Sequence, residues 1–155
     1  MPSIDGTTGN LPSGRVAIIA SRYNANICDS MVQAALQSLS DAGIPEDKQW
    51  LIRVPGAWEL CWAVEQAFQH ADVIGAITLG CVIKGETTHD EHINRAVSDT
   101  LMEQSVRSGR PVGFGLLTCN TVEQAIQRSG GTVGNKGHEA ADAMLEMLRL
   151  QTKMR

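Results

Sequence analysis

A chain of 155 residues can bury one hydrophobic core but not two, so a single domain is expected. Its 43% apolar and 19% charged residues suit a globular protein, and no apolar run approaches the roughly 20 residues of a membrane-spanning helix. A formal net charge of -4 provides no broad basic surface for nucleic acid, and no basic leader precedes an apolar stretch, so the cytoplasm is the expected compartment.

Residues 1–14 are glycine, proline and small polar residues without periodicity. They are expected to form an arm with no fold of its own, able to lie on a neighbour or pair with it as a strand, ahead of one domain at residues 15–155. Val16 to Ala20 is a short apolar run suited to a strand covered on both faces, and Ser21 to Asn24 turn out of it. From Ile27 the positions Met31, Val32, Ala35, Leu36 and Leu39 keep helical spacing until Gly43-Ile44-Pro45. Trp50 to Val54 predicts a second strand, ended by Pro55-Gly56, and Trp58 to His70 a second helix through Leu60, Val64 and Phe68. Val73 to Leu79 predicts a third strand. The helix after His89 places Ile93, Val97, Leu101 and Met102 on one side and stops at Ser108-Gly109-Arg110-Pro111. Val112 to Leu117 is a fourth strand, followed by a short helix at Val122 to Arg128, a glycine-rich joint at Gly130 to Gly137, and a helix from His138 to about Leu150.

Strands alternating with helices, each strand nearly all apolar, predict an α/β fold. The expected form is a flavodoxin-like three-layer sandwich, with a four-stranded parallel sheet and helices on both faces. Ligands bind such sheets beyond the carboxyl ends of the strands. The turns at Tyr23, Pro55 to Glu59, Gly80 to His89 and Phe114 to Asn120 are therefore expected to share one edge.

The richest of these is Gly80 to Asn94, read as a strand-to-helix turn. Gly85 would supply unusual backbone angles, Thr87 and Thr88 hydroxyls, and the helix N-terminus free N–H groups for an anion. His89 stands at the same corner, with an ordinary pKa near 6.5 that suits proton transfer at neutral pH. His89, Asp90, Glu91 and His92 also crowd four possible metal ligands together. Consecutive helical residues point about 100° apart, so few of them could meet one ion. A zinc deaminase would further need a Pro-Cys-x-x-Cys partner, which the chain lacks. No metal is expected, and Asp90 and Glu91 suit the positive end of the helix dipole.

Tyr23 and Trp58 lie at strand ends, where a ring either closes over the core or stacks on a planar ligand. Glu59 follows a Pro-Gly turn, placed to accept N–H bonds or to hold ligand hydroxyls. Arg128 and Lys136 are solvated charges unless a guanidinium faces the anion turn, where it would clamp a phosphate. Gly113-Phe114-Gly115 does not continue as a dinucleotide fingerprint and no Walker lysine occurs, so no nucleotide cofactor is expected. Cys28, Cys61, Cys81 and Cys119 are widely spaced and read as buried thiols.

Val54 to Glu59, Gly80 to His89, Gly113 to Thr118 and Gly134 to Gly137, in order and at compatible spacing, closely resemble the 6,7-dimethyl-8-ribityllumazine synthase family over about Arg15 to Leu150. The resemblance implies the penultimate step of riboflavin synthesis. In it 5-amino-6-(ribitylamino)uracil condenses with 3,4-dihydroxy-2-butanone 4-phosphate, releasing phosphate and water, without cofactor or metal. It assigns Tyr23 to stacking on the pyrimidine, and Asn24, Ala57, Trp58 and Glu59 to holding that substrate and its ribityl chain, with Val82 and Ile83 lining the pocket. Gly85, Glu86 and Thr87 would bind phosphate together with Arg128, and His89 would move protons. Phe114, Arg128 and Lys136 would come from the adjacent subunit. The resemblance therefore implies a homo-oligomer, a pentamer or a shell of sixty chains, with riboflavin synthase as a further partner.

Three positions depart from the family pattern. Tyr23 stands where Phe or Trp is common, Asp90 where an aromatic is common, and Thr132 where lysine is usual. Asp90 would put a carboxylate beside the proposed base and raise the histidine pKa, and Pro12 would oppose strand pairing by the arm. Two rival readings stand beside the enzyme: a flavodoxin-like binder of flavin or lumazine, and a shell protein whose assembly is its function. His89, Arg128 and Lys136 beside an anion turn speak against both.

Overall fold

The structure, a computed structural model, describes residues Met1 to Arg155. Four apolar runs form the sheet: β1 (Arg15–Ser21), β2 (Gln49–Val54), β3 (Val73–Ile83) and β4 (Val112–Cys119). All neighbours pair parallel, in the order β2-β1-β3-β4. The connections are the helices α1 (Ala25–Asp41), α2 (Leu60–Phe68), α3 (His89–Ser108), α4 (Val122–Arg128) and α5 (Lys136–Met154).

Because strand side chains alternate, the sheet feeds two cores. Val16, Ile18 and Ala20 of β1 meet Met31 and Leu39 of α1 and Met144 and Leu148 of α5. Ala17 and Ile19 meet Leu60 and Val64 of α2 and Val97 and Leu101 of α3. Helices cover both faces, which is the expected three-layer sandwich. A bulge adjusts this pattern in β3: Arg15 pairs with Val73 but Val16 with Gly75, leaving Ile74 as the extra residue.

Two glycines let α5 approach closely. A Cβ on Gly113 of β4 would strike the carbonyl of Ala140, and one on Gly137 would strike that of Met31 in α1. The neighbouring Asn135 caps α5 by accepting from the Gly137 N–H at 2.8 Å, and its amide donates to the Ser30 carbonyl at 3.3 Å. The Gly134 to Gly137 motif thus docks one helix onto another.

Several boundaries differ from expectation. β3 continues to Ile83, so Gly80 to Ile83 is strand and the turn is only Lys84 to Thr88. Gly85 has no left-handed φ and open space around it, so its use is not unusual backbone angles. β4 runs past its expected end at Leu117 to Cys119, so Thr118 and Cys119 are strand rather than turn, and Phe114 lies well inside this edge strand. Ala57–Glu59 is a 3-10 turn ahead of α2, and the glycine-rich joint forms a small antiparallel pair, β5 (Ser129–Gly131) with β6 (Gly134–Asn135). Met102 points to solvent, five residues beyond Val97 and so off the inward stripe. The arm contains no strand and lies along its own α5: Gly6 is buried against Glu146, and the Lys153 ammonium donates to the Asp5 carbonyl at 2.8 Å.

Gly137→Ala should lower stability by about 1–3 kcal/mol, as overpacking does, whereas Gly85→Ala should change it by less than about 0.5 kcal/mol. Denaturant unfolding midpoints of the two variants check this.

Candidate functional site

Three strand ends at the carboxyl edge build one pocket. After β1, the Ser21 hydroxyl accepts from the Tyr23 N–H at 3.1 Å. The same N–H reaches the Pro55 carbonyl at 3.1 Å, and the Arg22 N–H the Val54 carbonyl at 2.8 Å, so this turn is stitched to the end of β2. Asn24 is the one non-glycine residue with positive φ, at 55°. Its short side chain tolerates that conformation and donates to the Cys81 carbonyl at 2.9 Å, tying the turn to β3. The Tyr23 ring is left 71% exposed.

After β2, the Glu59 carboxylate accepts from the Gly56 N–H at 2.9 Å. This fixes the 3-10 turn with Ala57 buried and the Trp58 ring 61% exposed. One Glu59 oxygen is thereby occupied by the backbone, which was the plainer of the two expectations for this residue. After β3, the Lys84 N–H holds the Cys119 carbonyl at 2.8 Å and the chain then loops out. The N–H groups of Gly85, Glu86 and Thr87 donate to no other group of the chain, while the Thr87 hydroxyl accepts from the His89 N–H at 3.3 Å.

Tyr23, Ala57, Trp58, Val82, Ile83, Gly85, Thr87 and His89 all line one cavity of about 360 Å³. Asn24, Glu59 and Glu86 flank it without lining it. Gly56, Cys81, Asp90 and Ile93 also line it and were given no substrate-binding role from sequence. Ile93 could have been found, since it stands one helical turn beyond His89. Of the four clustered ligand types, only His89 and Asp90 face this cavity, and the His92 Nε2 lies 3.4 Å from the Thr88 hydroxyl.

Phe114, Arg128 and Lys136 gather in a second depression of about 360 Å³ beside β4, which shares no residue with the first. Phe114 is exposed there, and the Arg128 guanidinium holds only the Gln124 carbonyl of its own helix, at 3.3 Å. The first pocket has no lysine or arginine in its wall; the second has both. A larger groove of about 560 Å³ beside the start of β4 is mainly apolar and carries no carboxylate, imidazole or thiol among its side chains.

The four cysteines are free; Cys28, Cys81 and Cys119 are buried as expected, and Cys61 is only partly so. Burial pushes the Cys28 thiol up to about 11 and Cys81 up to about 12, the latter helped by Cys28 and Cys119 nearby. Cys61 and Cys119 are raised by burial too, with Arg128 opposing the rise at Cys119. Protonated at neutral pH, none is poised as a nucleophile, although Cys81 borders the cavity.

Residues 13–152 match the family model described as 6,7-dimethyl-8-ribityllumazine synthase. A protein of that name from Rhodopirellula baltica is 99% identical over the full length of both chains. One from Xanthomonas oryzae is 47% identical over 139 residues, 90% of each chain. Another, from Xylella fastidiosa, is 42% identical over 147 residues, 92% of this chain and 94% of that protein.

At pH 8 iodoacetamide should leave Cys28 and Cys81 of the folded chain unmodified, and should label all four cysteines once the chain is unfolded. Peptide mass spectrometry checks the pattern.

Proposed function

The chain belongs to the 6,7-dimethyl-8-ribityllumazine synthase family and is a transferase of riboflavin biosynthesis, and we propose that its active site is completed only by a second copy. It condenses 5-amino-6-(ribitylamino)uracil with 3,4-dihydroxy-2-butanone 4-phosphate to 6,7-dimethyl-8-ribityllumazine. The observation that carries the two-copy reading is the division of the site. Unused N–H donors and His89 lie in a pocket without a cation, while Arg128 and Lys136 lie in a separate depression on the same chain.

In this reading the pyrimidine stacks on Tyr23 against the wall of Ala57, Trp58, Val82 and Ile83. Its ribityl hydroxyls reach the second Glu59 oxygen and the side-chain amide oxygen of Asn24, the groups not spent on Gly56 and Cys81. The N–H groups of Gly85 to Thr87 take the phosphate, and Arg128 and Lys136 of a neighbouring copy balance its charge, with Phe114 closing the side. The substrate's own amine attacks the ketone, so no enzymic nucleophile is needed and the inert thiols are no obstacle. Imine formation expels water, a proton leaves carbon as phosphate departs with its bonding electrons, the resulting enol becomes a ketone, and the ribityl-bearing amine closes the ring on it with loss of a second water. His89 carries protons between these steps. Holding two substrates in register supplies most of the rate, and acid-base help from His89 adds about 10² to 10⁴.

The assembly proposed is a pentamer, or twelve pentamers closed into a shell of sixty chains, in the cytoplasm and with riboflavin synthase as a partner. Both sheet edges, β2 and β4, are unpaired within one chain, which supports an oligomer. No helix is long and apolar enough to cross a membrane.

Mixing the two substrates with the protein should produce the lumazine chromophore. His89→Ala should slow its appearance by no more than about 10⁴-fold while leaving the affinity for the ring substrate within about threefold. Lost affinity at unchanged turnover would remove His89 from proton transfer. Arg128→Ala should raise KM for the phosphate substrate. At subsaturating phosphate substrate, mixed oligomers refolded from His89→Ala and Arg128→Ala chains should be more active than either parent, and no recovery would place Arg128 and His89 in the same copy's site.

A further inference from the structure

We propose that Ser30 is a positioning residue for the phosphate substrate, because it holds the hairpin next to Arg128; this rests on the reading of Arg128 given above. The pairing of β5 with β6 sets Ser129 opposite Asn135. The two cations flank that pair in the chain, Arg128 just before Ser129 and Lys136 just after Asn135. Ser30 of α1 bonds to both members of the pair. Its hydroxyl donates to the Ser129 carbonyl, and its own carbonyl accepts from the Asn135 amide at 3.3 Å. Gly130 closes over this junction with a φ of +118°, and a Cβ there would come within 3.3 Å of the Ser30 hydroxyl oxygen and 3.4 Å of the Asn135 amide nitrogen.

No other hydrogen bond reaches the hairpin from outside α4 and α5. Its tip is held by Gln127 of α4, whose backbone carbonyl accepts from the Val133 N–H at 2.9 Å and whose side-chain oxygen accepts from the Thr132 N–H at 2.7 Å. These bonds join hairpin to α4 but tie neither to α1. On the β6 side, close contact of Gly137 with the Met31 backbone already seats the start of α5. On the β5 side the Ser30 hydroxyl is the one hydrogen-bond tie to α1. Its loss therefore loosens Ser129, and with it Arg128, more than Lys136. The Arg128 guanidinium holds the Gln124 carbonyl of its own helix, which orients the side chain along α4 without fixing where the end of α4 lies. A guanidinium clamps phosphate only at hydrogen-bond distance, so the placement of that helix end sets how well it binds.

The test is a double-mutant cycle read as KM for each substrate. Ser30→Ala keeps a good helix former in α1. It should raise KM for the phosphate substrate about three- to tenfold, the worth of one hydrogen bond, and leave KM for the ring substrate within about twofold. Ser30→Thr, which keeps a hydroxyl, should restore most of the wild-type value. In an Arg128→Ala background, Ser30→Ala should change the phosphate KM by less than about twofold, since a residue that acts through Arg128 has nothing left to place. Amide hydrogen exchange over residues 129–135 should quicken in Ser30→Ala. An undiminished effect in the Arg128→Ala background, or equal rises in both KM values, would mark a general structural role and overturn the proposal. Unchanged exchange would do the same. If Arg128→Ala raises the phosphate KM and Ser30→Ala does not, this proposal fails alone; if Arg128→Ala leaves it unchanged, the reading of Arg128 fails and this proposal with it. The cycle gives the same answer whether Arg128 serves its own copy or a neighbour, so it stands apart from the two-copy arrangement.

Discussion

A parallel sheet has to be covered on both faces, because each strand reaches the next only through a crossover that lies across the sheet. Here α1 and α5 close one face and α2 and α3 the other, with glycine at Gly113 and Gly137 where backbone meets backbone. With both faces sealed, the chain has few places left for chemistry. The carboxyl edge is the place where the four parallel strands end and the chain must turn outward, and the pocket residues come from the exits of β1, β2 and β3 and the start of α3.

That edge is held by hydrogen bonds that cross between exits. Asn24 adopts a left-handed backbone and spends its amide on Cys81, so the exits of β1 and β3 cannot drift apart. Tyr23 and Arg22 bond to Pro55 and Val54, which joins the exits of β1 and β2. Glu59 locks its own turn through Gly56. With the backbone thus committed, Tyr23 and Trp58 can stand largely exposed without collapsing onto the core. Exposed rings normally weaken a soluble surface; at this edge they form part of the wall of an open pocket.

The parallel sheet, the helix order and the one-edge grouping of the turns were legible from apolar runs and helical spacing, because those patterns are set by burial. Residues whose role depends on contacts between distant segments were less legible. Nothing local marks Asn24 as a brace to Cys81, or Gly85 as a residue with ordinary backbone angles. The end of β4 was hard to place because the small, branched run gives no stop signal before Asn120, and the strand continues past Leu117 to Cys119. Asp90 was visible as an acid at a helix start, yet its inward direction follows only from Val97 and Leu101 being buried on the same stripe.

The separation of the anion-binding turn from the cations also bears on solubility and control. Were Arg128 beside Gly85 to Thr87 in one chain, an unassembled copy could capture phosphate and phosphorylated metabolites by itself. With the cations on the far side of the sheet edge, the isolated turn offers only dipoles, and tight anion binding requires charge as well. On the proposed two-copy reading, catalytic competence follows assembly, because closing the interface brings cation, ring wall and proton carrier together. On that reading Tyr23, Trp58 and Phe114, which are exposed in one chain, gain cover in the same event. On that reading one contact between copies serves stability and chemistry, so substitutions at Phe114 or Arg128 are expected to alter assembly and turnover together, whereas changes at His89, exposed at the pocket of one copy's own half, alter turnover alone.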